Sequence, residues 1–171
     1  ANVRVAAERM KTVQGTHQKF DARSRLEVIL DMRAHGVNAY PDVFPMVLFA
    51  PSSSDSIQSV LTSQHEEFLP VAGMAATTTV FCNESGEYVV YESDEHGFHN
   101  PRGMWEHRPV ELLALGDSYT HGVCVPSDKG FVAVVRGHHP NTMNLGVNSH
   151  GPLTSLATLK EYGPVLKPKL V

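Results

Sequence analysis

Residues 111–122 read ELLALGDSYTHG, an apolar run that ends at a glycine and passes into a small polar turn carrying Ser118. The apolar run predicts a strand over Val110–Leu115 that is buried on both faces, and Gly116 allows a tight turn at its carboxyl end. Open α/β sheets bind ligands at that edge. If a helix begins after Asp117, Ser118 presents its hydroxyl at the edge, and its N–H is an unpaired donor of the first helical turn.

A second strand and a helix are predicted about thirty residues further on. Residues 142–147 form a short strand-like run, and an Asn/Ser/His/Gly/Pro turn follows it. We expect Thr142–Val147 to lie beside the first strand in a parallel sheet, with a helix over Pro152–Tyr162 covering one face. Two plainer interpretations remain open: Asp117 and Ser118 are favoured helix caps, and the second turn is typical of any strand-to-helix connection.

The segment Gly116-Asp117-Ser118-Tyr-Thr-His-Gly122 resembles the first block of the SGNH (GDSL-type) hydrolases. The resemblance implies that Ser118 is the nucleophile and that its backbone N–H is a first oxyanion donor. Gly116, Asp117 and Gly122 are then the structural positions of the motif. A serine nucleophile on such a turn is a hypothesis that the predicted strand and helix must support.

Residues 142–152 resemble the second block of the same family, in which an Asn is followed five residues later by a Gly that donates its N–H to the oxyanion. Here Asn144 matches, but the fifth position is Ser149, and Gly146 lies three positions too early. Ser149 is therefore the expected second donor, with Gly146 as the alternative. If the turn needs a positive φ, Ser149 is strained by about 1 kcal/mol or more.

The family's third block, an Asn, and its fourth, an Asp-x-x-His that supplies the base and its orienting carboxylate, are not found in the chain. Residues 166–171 resemble the lead-in to the family's third strand. We therefore expect a fragment of a longer protein, inactive by itself because serine needs an adjacent base. The expected fold is a truncated three-layer α/β/α, flavodoxin-like SGNH domain over residues 106–171.

Residues 1–105 are expected to form a smaller α+β region. Leu26, Ile29, Leu30 and Met32 predict an amphipathic helix over Ser24–His35 that ends at Gly36. Two β-branched and aromatic runs, Thr77–Cys82 and Tyr88–Tyr91, predict a hairpin.

Residues 94–100, DEHGFHN, are similar to stretches that precede the nucleophile strand in bacterial SGNH-like proteins associated with extracellular polysaccharide. The resemblance implies an esterase acting on an acyl ester of a carbohydrate, with acetyl the expected acyl group. An O-acyltransferase and a non-catalytic carbohydrate-binding or assembly module are the alternatives. Trp105 is open to two interpretations, a sugar-stacking ring or a core residue.

Charge and composition exclude several other classes. The chain has 14 basic and 18 acidic residues without a basic cluster, which argues against nucleic-acid binding, and no apolar run has membrane-spanning length. Its ten histidines show no regular metal-ligand spacing, so we predict neither metal nor cofactor. We expect His121 and His150 to have at most a role at the edge of the substrate site.

The chain has two cysteines, Cys82 and Cys124. They are a candidate disulfide in an exported protein and buried thiols in a cytosolic one. The family resemblance favours an extracytoplasmic protein, and with it the disulfide.

Overall fold

The computed structural model describes residues 20–51, 57–63 and 66–171. The helices of the described residues are α1 (Arg25–Ala34), α2 (Ser118–His121), α3 (Phe131–Arg136) and α4 (Pro152–Leu166). The strands are β1 (Ala39–Pro41), β2 (Phe49–Pro51), β3 (Ile57–Ser59), β4 (Thr62–Ser63), β5 (Glu66–Glu67), β6 (Thr78–Val80), β7 (Val90–Glu92), β8 (Leu112–Ala114) and β9 (Thr142–Asn144). The described part of the chain is thus a mixed α/β structure with short sheets.

The predicted hairpin is confirmed. Strands β6 and β7 pair antiparallel, with Thr79 opposite Tyr91. The Val89 N–H donates to the carbonyl of Cys82 at 2.8 Å, which extends the pairing toward the turn. Strand β1, whose pairing the sequence did not predict, adds in parallel on the other side of β6. The three strands form the first sheet, with the order β1-β6-β7.

The predicted first helix is confirmed, but its buried face differs from the expected one. A reciprocal capping box starts α1, in which Ser24 Oγ accepts from the Glu27 N–H at 3.3 Å and the Glu27 carboxylate accepts from the Ser24 N–H at 2.6 Å. Val28 and Ile29 are buried against β1 and β6, whereas Leu26 and Leu30 are 63% and 53% exposed. Leu26 and Leu30 are four residues apart and share another side of the helix, so the expected apolar face was wrong for these two.

The two predicted parallel strands are also confirmed, although both are shorter than expected. Strands β8 and β9 pair in parallel with Leu113 opposite Met143. A parallel bridge joins Leu112 to Leu170 on the other side of β8. The intervening helix, α4, begins at the predicted residue and runs four residues beyond the predicted end.

The largest core cluster packs the second sheet, which consists of β8 and β9, and α4 against the segment before β8. It contains Phe98, Met104 and Trp105 from that segment, Val110 and Leu113 around β8, Met143, Leu145 and Val147 around β9, and Leu166 from α4. Trp105 is buried, so it is a core residue and not a surface for a sugar ring. The division of the chain at residue 105 stays a prediction.

The segment DEHGFHN folds around the buried carboxylate of Asp94. Asp94 Oδ1 accepts from the N–H groups of His96 and Phe98 at 2.8 and 2.9 Å, and Oδ2 accepts from Asn100 Nδ2 and Trp105 Nε1, both at 2.8 Å. Gly97 takes a φ of +88°, and a Cβ there would lie 2.2 Å from the carbonyl oxygen of Gly73. A buried carboxylate is tolerated because every strong acceptor position faces a donor.

The side-chain amide of Asn100 takes the place of a neighbouring strand along β9. Its Nδ2 donates to the Asn144 carbonyl and its Oδ1 accepts from the Asn144 N–H, both at 2.8 Å. Arg136 from α3 donates to the same Oδ1 at 2.9 Å. The outer edge of β9 is thereby satisfied at Asn144, where an exposed strand edge would otherwise be left unpaired.

We expect Asn100→Asp to lower the free energy of unfolding by about 3 kcal/mol or more at neutral pH, because two donations are lost and a second carboxylate is set against Asp94. Urea unfolding of the variant and of the unsubstituted chain measures this difference in stability. Asn38→Asp is the matched control, since Asn38 is exposed. Equal stability of the two variants would contradict the assigned role of the amide.

Candidate functional site

Ser118 is the first residue of α2, directly after the turn that leaves β8. The helix is capped by Asp117, whose side chain accepts from the Tyr119 N–H at 3.0 Å. Gly116 approaches Thr120 so closely that a Cβ would lie 2.3 Å from Thr120 Oγ1. Capping therefore belongs to Asp117. Among the described residues, neither the hydroxyl nor the N–H of Ser118 has a hydrogen-bond partner.

The second predicted turn leaves the same edge of the sheet. The Val147 N–H donates to the Gly116 carbonyl at 3.1 Å, so the segments that follow β8 and β9 lie side by side. The His150 N–H then closes a turn onto the Val147 carbonyl at 3.1 Å, and Ser149 at its third position has a φ of +65°. A positive φ at this position is typical of a type II turn and favours glycine. Within the described ranges, the Ser149 N–H has no acceptor.

Asn144 joins the two turns from below. Its Nδ2 donates to the Thr120 carbonyl at 2.7 Å, and its Oδ1 accepts from the Gly146 N–H at 2.9 Å. A Cβ on Gly146 would lie 2.5 Å from Thr120 Cβ, so the absence of a side chain lets α2 pack against the turn. The N–H of Gly146, the alternative oxyanion donor, is already engaged in this contact. Gly122 ends α2 with a φ of +81°.

His121 and His150 are buried. His121 Nδ1 accepts from the Asn148 N–H at 3.2 Å, and its Nε2 lies 3.1 Å from the Tyr91 hydroxyl. Burial lowers the pKa of His121 to about 3 and that of His150 to about 4, because the charged imidazolium is poorly solvated there. Neither ring contacts the Ser118 hydroxyl. Both ring nitrogens of His150 lack a hydrogen-bond partner in the described part of the chain.

A second serine, which the sequence analysis missed, does contact a histidine. His99 Nε2 lies 2.9 Å from Ser127 Oγ, and His99 Nδ1 lies 2.9 Å from the His121 carbonyl. Since a carbonyl only accepts, the ring proton is on Nδ1 and Nε2 accepts from the Ser127 hydroxyl. A base next to a serine hydroxyl is the arrangement used in nucleophilic catalysis, so Ser127 is a competing candidate nucleophile. Its partner His99 lies in the DEHGFHN segment, but nothing in the local sequence links the two.

The structure joins Cys82 to Cys124 in a disulfide with a Cα–Cα distance of 5.4 Å. The bond connects the strand pair β6–β7 to the segment that follows α2. Loop closure between cysteines 42 positions apart contributes about 4 kcal/mol in the chain-entropy account. The disulfide therefore ties the first sheet to the helix that carries Ser118.

Across residues 20–51, 57–63 and 66–171, no group of three or more His, Cys, Asp or Glu side chains is arranged to hold a metal ion. None of the helices in these ranges is both long and apolar enough to span a bilayer.

Comparison with known proteins adds no family assignment. No family model matches the chain, and neither the curated proteins nor the solved structures contain a match. Any functional conclusion depends on the residues and their geometry.

We expect His150, whose ring nitrogens have no hydrogen-bond partner among the described residues, to make the protein sensitive to acid. Its pKa of about 4 lies below the ordinary value of 6.5, so the unfolded chain takes up the proton first. The associated stability is complete above pH 6.5 and is lost as the pH falls toward 4, by about 2–3 kcal/mol.

His150→Leu should remove this part of the pH dependence and leave stability at pH 7.5 no lower than in the unsubstituted chain. Urea midpoints between pH 4 and 7.5 measure the effect, with the exposed His138→Leu as the control. An unchanged pH profile in His150→Leu would contradict the prediction.

Proposed function

We propose that Ser118 is the nucleophile of an SGNH-type serine esterase that acts on an acyl ester, acetyl in the simplest case, of a carbohydrate. The observation that carries the proposal is the position of Ser118 at the start of α2, at the carboxyl edge of two parallel strands. Its hydroxyl and N–H are not engaged by other described residues, and the unengaged Ser149 N–H follows the neighbouring strand. A nucleophile and two backbone donors at one sheet edge fit acyl transfer.

The order of the second sheet supports a flavodoxin-like domain. In chain order, β8 is first, β9 second and the segment at Leu170 third, and they lie side by side as 2-1-3. This is how the flavodoxin-like strand order begins, and such sheets bind ligands where the order reverses. The reversal falls at β8, the strand that leads to Ser118.

The two faces of the same sheet support three layers. Leu113 and Met143 share the core with Leu166 of α4. Since side chains alternate along a strand, Leu112, Ala114 and Thr142 point to the other face. An apolar cavity of about 130 Å³ lies between these residues and Phe131, Val132 and Val135 of α3. These contacts support an arrangement with α3 on one face of the sheet and α4 on the other.

The proposed reaction proceeds through an acyl-enzyme. Ser118 Oγ attacks the ester carbonyl as a base removes its proton, and the N–H groups of Ser118 and Ser149 stabilise the oxyanion. Collapse breaks the ester C–O bond, and the carbohydrate hydroxyl leaves with the proton. Water then hydrolyses the acyl-Ser118 ester. No histidine or carboxylate of the described residues hydrogen-bonds to Ser118 Oγ, so we propose that the base belongs to an Asp-x-x-His block of the kind that the family resemblance implies.

Tyr119 supports a carbohydrate as the alcohol part of the ester. It follows Ser118 directly and is 83% exposed. A solvent-facing aromatic ring with a polar tip suits a ligand that has both apolar faces and hydroxyls. An O-acyltransferase would use the same groups with a sugar hydroxyl in place of water.

The non-catalytic alternative is favoured by one observation, the serine in place of glycine at the strained position 149. A chain that had lost its chemistry could keep the fold and still bind the carbohydrate.

A fluorophosphonate probe tests the nucleophile, because it needs an activated hydroxyl and donors for its phosphoryl oxygen. We expect a longer protein that combines this chain with an Asp-x-x-His block to be labelled at Ser118 alone, and Ser118→Ala to abolish labelling. The 171-residue chain should be labelled more slowly by about a thousandfold or more, because loss of triad members costs several orders of magnitude. Mass spectrometry of the labelled peptides identifies the serine.

Ser127→Ala is the matched control, since Ser127 is the serine that contacts a histidine. It should leave labelling unchanged. Labelling at Ser127 would contradict the assignment of the nucleophile, and rapid labelling of the 171-residue chain at Ser118 would contradict the assignment of the base. If a longer protein that carries the Asp-x-x-His block is not labelled at all, the non-catalytic module is indicated.

A further inference from the structure

The single turn of α2 ends at the peptide that joins His121 to Gly122. The N–H of this peptide donates to the carbonyls of Ser118 and Tyr119 at 3.1 and 3.2 Å, which closes the turn on the residue that carries the proposed nucleophile. The carbonyl of the same peptide accepts from His99 Nδ1 at 2.9 Å. Because a peptide group is planar, the directions of its N–H and its carbonyl are linked. One rigid group therefore connects the His99 ring to the backbone of Ser118.

This peptide has little steric reason to keep one orientation. Gly122 has a φ of +81°, and glycine takes positive and negative φ with similar ease. A flip of the peptide turns about ψ of His121 and φ of Gly122, and it reverses the carbonyl and the N–H together. The flip thus breaks the bond from His99 and the bond to Ser118 at the same time. The contact with His99 opposes the flip at the peptide that itself moves.

Other contacts fix the orientation of the His99 ring. Its centroid lies 4.1 Å from that of the Tyr91 ring in β7, and its Nε2 accepts from the Ser127 hydroxyl at 2.9 Å. Burial lowers the pKa of His99 below its ordinary value of 6.5, so the ring is neutral at pH 7. A neutral ring has one proton on nitrogen, and because the His121 carbonyl only accepts, that proton is on Nδ1. The carbonyl selects this tautomer without help from Ser127.

The backbone on both sides of His99 is fixed as well. Phe98 before it and Asn100 after it donate to the buried carboxylate of Asp94 at 2.9 and 2.8 Å, Phe98 from its N–H and Asn100 from Nδ2. His99 therefore projects from an anchored loop, so a flip of the peptide loses the bond and does not carry the ring along.

We propose that His99 is a positioning residue whose Nδ1–H holds the His121–Gly122 peptide in the orientation that closes α2 on Ser118. The catalytic consequence rests on the proposed function, but the held peptide is a property of the fold. This role needs no proton transfer between His99 and Ser127, so their contact does not require Ser127 to be a nucleophile. It also gives the first sheet a part in the site, because Tyr91 packs against the His99 ring.

NMR of the ¹⁵N-labelled 171-residue chain tests the tautomer without requiring activity. We expect long-range ¹H–¹⁵N spectra to place the His99 ring proton on Nδ1, both in the unsubstituted chain and in Ser127→Ala. A ring proton on Nε2 would overturn the proposal, because His99 would then have no proton to donate to the His121 carbonyl.

Two substitutions of His99 separate the hydrogen bond from the packing of the side chain. In asparagine, as in histidine, a nitrogen is bonded to Cγ, so His99→Asn keeps a donor near the position of Nδ1, whereas His99→Leu keeps only apolar bulk. We expect His99→Leu to raise hydrogen exchange of the Gly122 N–H by about tenfold relative to the Leu145 N–H, which bonds to Ala114 across the second sheet. His99→Asn should leave this ratio within about twofold of its original value.

His96 provides the control pair, because it is exposed and lies in the same segment as His99. Neither His96→Asn nor His96→Leu should change the exchange ratio. Equal exchange ratios in His99→Asn and His99→Leu would overturn the role of the hydrogen bond.

Fluorophosphonate labelling of a longer protein that combines this chain with an Asp-x-x-His block then separates the two proposals. His99→Leu should reduce labelling of Ser118 by about tenfold, because a small displacement of a reacting group is costly, and His99→Asn should restore it to within about threefold. Labelling that is unchanged in both variants, or reduced equally in both, would overturn the positioning role. Absence of labelling in the unsubstituted longer protein would overturn only the esterase, because the tautomer and the exchange ratios would still decide whether His99 holds the peptide.

Discussion

The buried carboxylate of Asp94 is the interaction on which the rest of the structure depends. It has no exposure to solvent, and its two oxygens accept from two backbone and two side-chain donors. Since an unpaired buried charge is strongly unfavourable, the surrounding loop is stable only in the conformation that aims all these donors inward. That conformation fixes Asn100 and Trp105 together, one at the sheet edge and the other in the core.

Hydrogen bonds through Asn144 connect Asn100 to the proposed site. The Asn100 amide pairs with the Asn144 backbone, and the Asn144 side chain reaches across to Thr120 of α2 and to Gly146. A chain of hydrogen bonds thus runs from the loop before β8 to both turns at the carboxyl edge. The disulfide between Cys82 and Cys124 adds a covalent bond between the first sheet and the segment that follows α2. The segment 94–100 therefore supports both turns, and its His99 is in addition the residue that contacts Ser127.

The sequence predicted the elements that depend on local pattern. The apolar run at 110–115 and the residues 142–147 became parallel strands, the hairpin formed where turn residues separate two β-branched runs, and α4 begins at Pro152. Contacts between distant residues were not predictable in the same way. Pairing of Ala39 with Thr78, the contact of Ser127 with His99 and the hydrogen bond from the Asn148 N–H to His121 each depend on tertiary packing that no local spacing encodes.

The turn at Ser149 sets the needs of the proposed site against those of the fold. Burial raises the pKa of the nearby Asp42 to about 6, so ionisation of this carboxyl lowers stability as the pH rises through that value. Ser149 adds backbone strain in the same turn. Natural sequences accept such local costs mainly where geometry serves a function, since elsewhere a glycine at 149 and a neutral side chain at 42 would be more stable. The strained Ser149 thus lies near a half-buried carboxyl, Asp42, and a neutral buried histidine, His121, which is an argument, independent of the sequence motif, for placing the proposed site at this edge of the sheet.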